Sequence, residues 1–370
     1  MARPAKAEIN LDALRHNYRL ACKVAPDSQA VAIVKANAYG HGAVAAAQAL
    51  QAEAPVFGVA CIEEAMELRE AGIQQPILLL EGMFSAEELA VARQQGFWVA
   101  VGHRQQIEMI TQAASGQALK VWLKLDTGMH RLGVQPGAAV ELYRLLAESD
   151  NVADGIVLMS HLACGDEIER PQTPKQIQCF ADTLAAISAV ADELGQRVET
   201  SLANSAGTMA WQDCRRSWNR PGYMLYGGNP FGHSQENADQ LQPVMNLRTA
   251  VIALRDIAIG ECVGYGASWC AQRPSKIATI AMGYADGYPR VVKPGTPVLI
   301  HGQRASIVGR VSMDMITIDV TDLADVQLGD EVLMWGEGLS VDEIADCAGT
   351  IGYELLARMP ARVPRVYLGK

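Results

Sequence analysis

Between residues 30 and 227, short β-type apolar runs alternate with helix-type stretches about eight times, and this alternation constrains the fold more than any other feature. The runs are AVAIVK, VFGVA, PILLLE, WVAVG, VWLKLD, GIVLMSH, ETSLAN and GYMLYG. Stretches such as CIEEAMELREAG and AAVELYRLLAES lie between them with helical spacing, and another helix is expected near KQIQCFADTLAAISAVADEL. Ser85, followed three residues later by Glu88, reads as a capping box, in which two side chains satisfy backbone N–H groups at a helix start. Such alternation builds a parallel sheet, either closed into a (β/α)8 TIM-type barrel or open and doubly wound.

The strand ends favour the barrel. Lys35, Glu81, Asp126, His161, Asn204, Ser205 and Arg220 fall at or just after the C-terminal ends of several different runs. Barrels assemble their sites at that end from many strands, whereas an open sheet concentrates them at one switch point. No G-x-G-x-x-G follows a strand. After about residue 240 the pattern becomes β-rich, with Gly, Pro and Asp turns and one helix expected at VDEIADCAG. The reading is a barrel over residues 1–235 and a mainly β domain over residues 236–370, divided within GHSQENADQLQP.

Charge and cysteine content exclude several functions. Thirty-one Lys and Arg against 41 Asp and Glu give a net charge of −10, without the basic cluster that sequence-independent nucleic-acid binding requires. No apolar stretch is long enough to span a membrane, and the N-terminus has no signal-type apolar core, so a cytoplasmic protein is expected. The eight cysteines contain no C-x-x-C pair; they read as reduced, mostly buried small hydrophobes rather than metal ligands.

Several side chains can carry chemistry. Burial lowers a lysine's pKa and makes its amine nucleophilic, so Lys35 is either a Schiff-base former or a snorkelling lysine. Tyr39 can donate to an anion or simply pack, and His41 reads as the start of the next helix. Lys124 and Asp126 end a strand; Arg131, in the loop beyond, can hold a carboxylate bidentately or pair with a neighbour. His161 is an acid, base or relay, or else structural. Asn204 and Ser205 suit a phosphate or an ordinary N-cap, and Gly222 after Arg220 suits an anion or a plain turn. In the β domain Tyr265 stands between two glycines, Met313 and Asp314 are read within a strand, and Tyr353 follows what reads as a helix-ending glycine.

VKANAYGHG, DTGMHRLG, SHLA, NSAG, RPGYMLYG, GYGASW, MGYADGYPR, VGRVSMDM, and GYELL with RVPR occur in this order, reaching Arg365. In this set the chain resembles the bacterial alanine racemases. The resemblance implies homodimers of barrel-plus-β chains that use pyridoxal 5′-phosphate (PLP) to interconvert L- and D-alanine, for cell-wall supply or for catabolism. It implies that Lys35 is the Schiff-base lysine and that Tyr265 is the second base, reaching the other subunit's site. Arg131 and the backbone of Met313 match substrate-carboxylate contacts, the latter again across the dimer. Tyr39, Ser205, Gly222, Tyr223 and Tyr353 match the phosphate cradle. Arg220 matches the partner of the pyridine nitrogen, His161 links it towards Tyr265, and Lys124 matches a lysine that is often carbamylated and orients Arg131. The family also places its first few residues with the β domain. Tyr223 departs from the small aliphatic of many members, and CGDEIERPQTPK is more particular to this chain.

The implied chemistry is coherent. Racemisation takes a Cα proton from one face and returns one to the other, so two bases on opposite faces are the minimal set. A broad-specificity amino-acid racemase is the alternative enzyme; those are typically exported. A non-catalytic PLP-binding barrel protein is the alternative binding protein, but it lacks a β domain.

Overall fold

The computed structural model describes residues 3–369. Strand β1 (Lys6–Asn10) comes first and lies outside the barrel. The barrel is a closed ring of eight parallel strands: β2 (Gln29–Ile33), β3 (Val56–Val59), β4 (Ile77–Leu79), β5 (Trp98–Val101), β6 (Val121–Lys124), β7 (Val157–Met159), β8 (Glu199–Ser201) and β9 (Trp218–Asn219). Successive strand residues point to opposite faces, and the core divides accordingly. Val31, Ile33, Val56, Leu78, Ala100, Trp122, Val157, Met159 and Trp218 fill the interior. Ala30, Ala32, Val34, Phe57 and Leu79 turn outward to the helices. Trp122 is fully buried, with Trp98 and Trp218 at ring-centroid distances of 6.2 and 5.9 Å. The interior is therefore packed, and the open space lies above it at the strands' C-terminal ends.

Two local readings change. GYMLYG is not the eighth strand: Trp218–Asn219 closes the ring, pairing with Ser201 and with Gln29 and Ala30, and Tyr223–Tyr226 is a 3-10 turn. Pro221 cannot donate to a ladder; its carbonyl accepts from the Ile33 N–H at 3.2 Å, and the chain then leaves the ring. The capping box also fails in its strict form. The helix Glu87–Gln95 has Ala86 at its cap, and Glu88 accepts from the Phe84 N–H at 3.1 Å.

Strand β10 (Met245–Ile257) organises the second sheet. Its first half pairs with β1, and its second half with β13 (Ser275–Ile280); the hairpin β11 (Cys262–Val263) and β12 (Trp269–Cys270) projects between them. Strands β14 (Pro297–Ile300), β15 (Gln303–Val308), β16 (Ile316–Asp319) and β17 (Glu331–Trp335) complete a β13–β16–β15–β14–β17–β10 order, and β10 also pairs with β13. Beyond β10 the sheet continues through β1 to the parallel strand β18 (Arg365–Leu368). The expected helix is present at Val341–Ala348, ended by Gly349 in a left-handed cap. Met313 and Asp314 lie in the turn before β16 rather than in a strand. Gly352 begins the helix Gly352–Ala357 instead of ending one, since Ile351 is its extended N-cap. Among the described residues, no helix is long and apolar enough to cross a membrane.

The two parts meet behind Lys35. Ala36, Asn37, Ala38 and Tyr39 all have left-handed backbone, with φ of 52, 54, 53 and 49°. Each such L-residue costs roughly 1–2 kcal/mol, so surrounding groups must hold the turn. Glu64 accepts from the Ala36 and Ala60 N–H groups at 2.7 and 2.8 Å, and Asn37 accepts from the Ala43 N–H at 2.8 Å. Arg365 of β18 donates to the Gly40 carbonyl through Nε and Nη2 at 3.0 and 2.9 Å, and also to the carbonyls of Met359, Pro360 and Val363. One guanidinium thus fastens the lysine's turn to the β domain. Arg365→Ala leaves the Gly40, Met359 and Val363 carbonyls without this donor, the Pro360 carbonyl keeping the Val363 N–H, and should cost about 2–4 kcal/mol in urea unfolding, with Arg365→Lys intermediate. Unchanged unfolding midpoints would show that the turn holds itself.

Candidate active site

A cavity of about 860 Å³ opens at the barrel's C-terminal mouth, a volume suited to a cofactor plus a small substrate. It is lined by Lys35, Tyr39, Lys124, Arg131, His161, Ser205, Arg220, Gly222, Tyr223 and Tyr353, so the fold gathers ten residues singled out from the sequence. Tyr265 and Met313 do not line it. They are 72% and 53% exposed on the β domain, away from this chain's own cavity. Tyr265 tops the β11–β12 hairpin within a 3-10 turn. The Met313 carbonyl accepts from the Ala285 N–H at 3.0 Å, while its own N–H has no acceptor among the described residues.

Positive charge dominates the cavity. Burial lowers the Lys35 pKa; Glu81 opposes the shift and Arg131 adds to it. Burial, then Arg220, Arg131 and Lys35, bring Lys124 down to about 8. Burial also brings Arg220 to about 10, which leaves it a cation at neutral pH. Its Nη1 donates to Ser201 Oγ, and its Nη2 donates to the Ser160 carbonyl and, at 3.5 Å, towards His161 Nδ1. Burial, reinforced by Arg220, holds His161 well below the ordinary histidine pKa, so the ring is neutral and accepts at Nδ1. Glu81 is the carboxylate on the lining. Placing several cations together out of water is unfavourable unless an anion joins them.

One wall is built to receive such an anion. Ser205, the first residue of the helix Ser205–Ala210, accepts from the N–H groups of Gly222 and Met224 at 3.0 and 3.2 Å. Asn204 is occupied as the N-cap, accepting from the Gly207 N–H at 2.9 Å, which confirms its structural reading. Tyr39 and Tyr353 line the same side, and neither hydroxyl has a hydrogen bond among the described residues. A Cβ on Gly222 would stand 2.7 Å from Tyr39 Oη, so only glycine lets the backbone come this close. Burial pushes the Tyr39 pKa up to about 12, so its hydroxyl keeps the proton it can donate.

Supporting groups carried little sequence signal. Tyr223 stacks on Tyr353 with centroids 3.7 Å apart, and its hydroxyl donates to Asp342, which also accepts from the Asn229 N–H at 3.1 Å. This holds the Tyr353 ring between barrel and β domain. Tyr226 stacks on Tyr39 and donates to the Ile33 carbonyl at 2.8 Å. His41 is buried against Tyr226 with Nδ1 directed at the Ala38 and Tyr39 carbonyls; it is a packing residue just ahead of the helix Ala43–Leu50. Asp126 closes the Arg131 loop by accepting from the N–H groups of Gly128, Met129 and His130. Gln176 braces the His161 carbonyl at 2.9 Å from the helix Gln172–Glu193. Gln106 donates to the Glu81 carbonyl at 2.9 Å. A glutamine within a helical pattern looks like any solvated position, so neither was visible in the sequence.

The cysteine reading needs one correction. Cys262 and Cys270 face each other across β11 and β12 and are disulfide-bonded. A separation of eight residues carries no signal until the hairpin register sets the two opposite.

Comparison with known proteins agrees with this architecture. Residues 9–230 match the family described as alanine racemase, N-terminal domain, and residues 244–367 match alanine racemase, C-terminal domain. The chain is 48% identical over 368 residues to an alanine racemase of Xanthomonas axonopodis pv. citri, covering 100% of this chain and 97% of the relative. It superposes with a TM-score of 0.93, at 46% identity, on the biosynthetic alanine racemase of Pseudomonas aeruginosa, covering 99% of this chain and 100% of that one. With a TM-score of 0.85 and 32% identity, it also matches the Bartonella henselae alanine racemase solved with covalently bound pyridoxal phosphate, covering 99% of each chain. The family is in general PLP-dependent. The chain belongs to the alanine racemase family.

Proposed function

We propose that this protein interconverts L- and D-alanine with pyridoxal 5′-phosphate held in the cavity, through two bases, Lys35 and Tyr265 of the partner subunit. The observation that carries the reading is the pairing of a half-buried lysine of lowered pKa with a wall suited to an anion in one cation-lined cavity. The residues fit the cofactor. Ser205, the N–H of Tyr223, the N–H of Gly222 once turned from Ser205 Oγ, and the hydroxyls of Tyr39 and Tyr353 would hold its phosphate, and Lys35 its aldehyde carbon. When bound, PLP supplies the electron delocalisation that makes an amino acid's α-proton removable.

The chain's own groups do the rest. Lys35 Nζ, shifted toward neutrality by burial, takes the α-proton of D-alanine and returns one to form it. Tyr265 Oη does the same for L-alanine on the opposite face. Arg131 and the free N–H of the partner subunit's Met313 hold the substrate carboxylate. Arg220 would face the pyridine nitrogen. A guanidinium has no proton to give up near neutral pH, so that nitrogen would stay unprotonated, moderating the electron sink and disfavouring side reactions. The exposure of Tyr265 and Met313 on the single chain supports a homodimer with shared sites.

Lys124 contributes as a carbamate. Its amine, near 8, has an appreciable neutral fraction at neutral pH, and carbon dioxide forms an N–C bond with it, releasing one proton. The resulting carboxylate stands among Arg220, Arg131 and Lys35 as the anion they lack, and it orients Arg131.

Purified protein given PLP should abolish the optical rotation of L-alanine. Lys35→Ala should lose both this activity and the visible absorbance of lysine-bound cofactor, and a surviving covalent band would exclude Lys35. With carbon-13 bicarbonate, NMR should show a carbamate carbon that fades as pH falls below about 8, where Lys124 protonates, and that is missing in Lys124→Ala. The same signal in both proteins would rule the carbamate out.

A further inference from the structure

The disulfide brackets one functional residue. Cys262 and Cys270 stand opposite each other at the base of the hairpin whose tip carries Tyr265, three residues beyond the first cysteine and five before the second. The ribbon is short. Its ladder has two pairs, Cys262 with Cys270 and Val263 with Trp269, extended only by the Gly260 N–H to Ala271 carbonyl and Ala271 N–H to Glu261 carbonyl bonds. The tip is conformationally demanding. Gly264, Gly266 and Ala267 have φ of 73, 74 and 48°, and the bond across it is Ala267 N–H to the Gly264 carbonyl at 3.2 Å. A left-handed alanine is disfavoured, and apart from packing of Gly264 and Gly266 against Arg310 and of Val263 against Gly309, the covalent bond at the base is the main constraint on this loop. In the single chain Cys262 is exposed and Cys270 partly exposed, whereas Cys214 is buried.

We infer that Cys262 and Cys270 form a reversible redox site that clamps the Tyr265 loop, resting on the reading of Tyr265 as the base for L-alanine. The closed pair holds the tyrosine in its working position, and the open pair lets the loop relax. Closing uses a low-molecular-weight disulfide. One cysteine thiolate attacks it, forming a mixed disulfide and expelling one thiol. The other cysteine thiolate then attacks the protein sulfur, forming the Cys262–Cys270 bond and expelling the second thiol. Two protein thiols are oxidised, one external disulfide is reduced, and the two cysteine protons leave on the two released thiols. In thiol-rich compartments disulfides are usually transient and redox-sensing, and exposed ones are the labile class.

The test uses the PLP-loaded enzyme in oxidised form, after dithiothreitol, and after re-oxidation with glutathione disulfide. The state of Cys262 and Cys270 is read by alkylation and peptide mass. Reduction should lower racemisation by up to about a hundredfold, the scale expected for a misplaced catalytic group. It should slow α-proton exchange of L-alanine with solvent, leave that of D-alanine running, and leave the cofactor spectrum unchanged. Glutathione disulfide should restore the rate. Cys262→Ser with Cys270→Ser should behave as the reduced enzyme and ignore both reagents. A fully reduced pair with undiminished L-alanine exchange overturns the clamp, as does a pair that thiols cannot open or glutathione disulfide cannot close. Tyr265→Phe separates the two readings. If it keeps L-alanine exchange, the tyrosine assignment falls and the clamp with it. If it loses that exchange while reduction changes nothing, only the clamp falls.

Discussion

Desolvated positive charge is the constraint on which the site depends. The buried Lys124 and Arg220 and the half-buried Lys35 converge, with the more exposed Arg131, on one cavity that has Glu81 as its carboxylate. In low dielectric such a group is unfavourable, and the lowered pKa values of Lys35, Lys124 and Arg220 express that cost. The same cost is the source of binding. On the proposed reading, a phosphate, a substrate carboxylate and a carbamate would each bring the negative charge that the folded chain withholds. His161 stays neutral under the same pressure and extends the Arg220 dipoles as an acceptor rather than adding a further cation.

The scaffold has to hold this charge against relaxation. Lys35 opens a four-residue left-handed stretch whose unfavourable backbone is maintained by Glu64, Asn37 and, from the far end of the chain, Arg365. Tyr353 reaches the cradle from the β domain and is held there by stacking on Tyr223, itself anchored to Asp342. The wall formed by Ser205, Gly222, Tyr39 and Tyr353 is thus a joint between the two parts. This gives Tyr223, the departure from the family's small aliphatic, a role that its backbone N–H alone would not require.

Much of this was legible because the relevant signals are local. Eight short runs with chemistry at their ends are a periodic feature, and a barrel gathers strand ends at one mouth whatever lies between them. The failures were of another kind. Trp218–Asn219 is too short to register as a strand, and the apolar run after Pro221 resembles one more than the true strand does. Gly352 reads as a stop signal, but its position at a helix start is set by Tyr223 packing beside it, where a Cβ would stand 1.8 Å from the tyrosine oxygen. Cys262 and Cys270 become partners only through hairpin register. Gln106, Gln176 and Asp342 act through partners far away in sequence, and neither composition nor periodicity encodes such pairings.

The single chain's cavity gathers Lys35, Ser205, Gly222, Tyr353 and Arg131, while Tyr265 and Met313 face outward. On the proposed reading, a working site joins Lys35 of one protomer to Tyr265 of the partner subunit. Mixing Lys35→Ala chains with Tyr265→Phe chains tests this most directly, because a verified heterodimer then contains one intact site only if the tyrosine is supplied across the interface. Racemisation should recover in the heterodimer of two inactive parents. Heterodimers as inactive as either parent would contradict it.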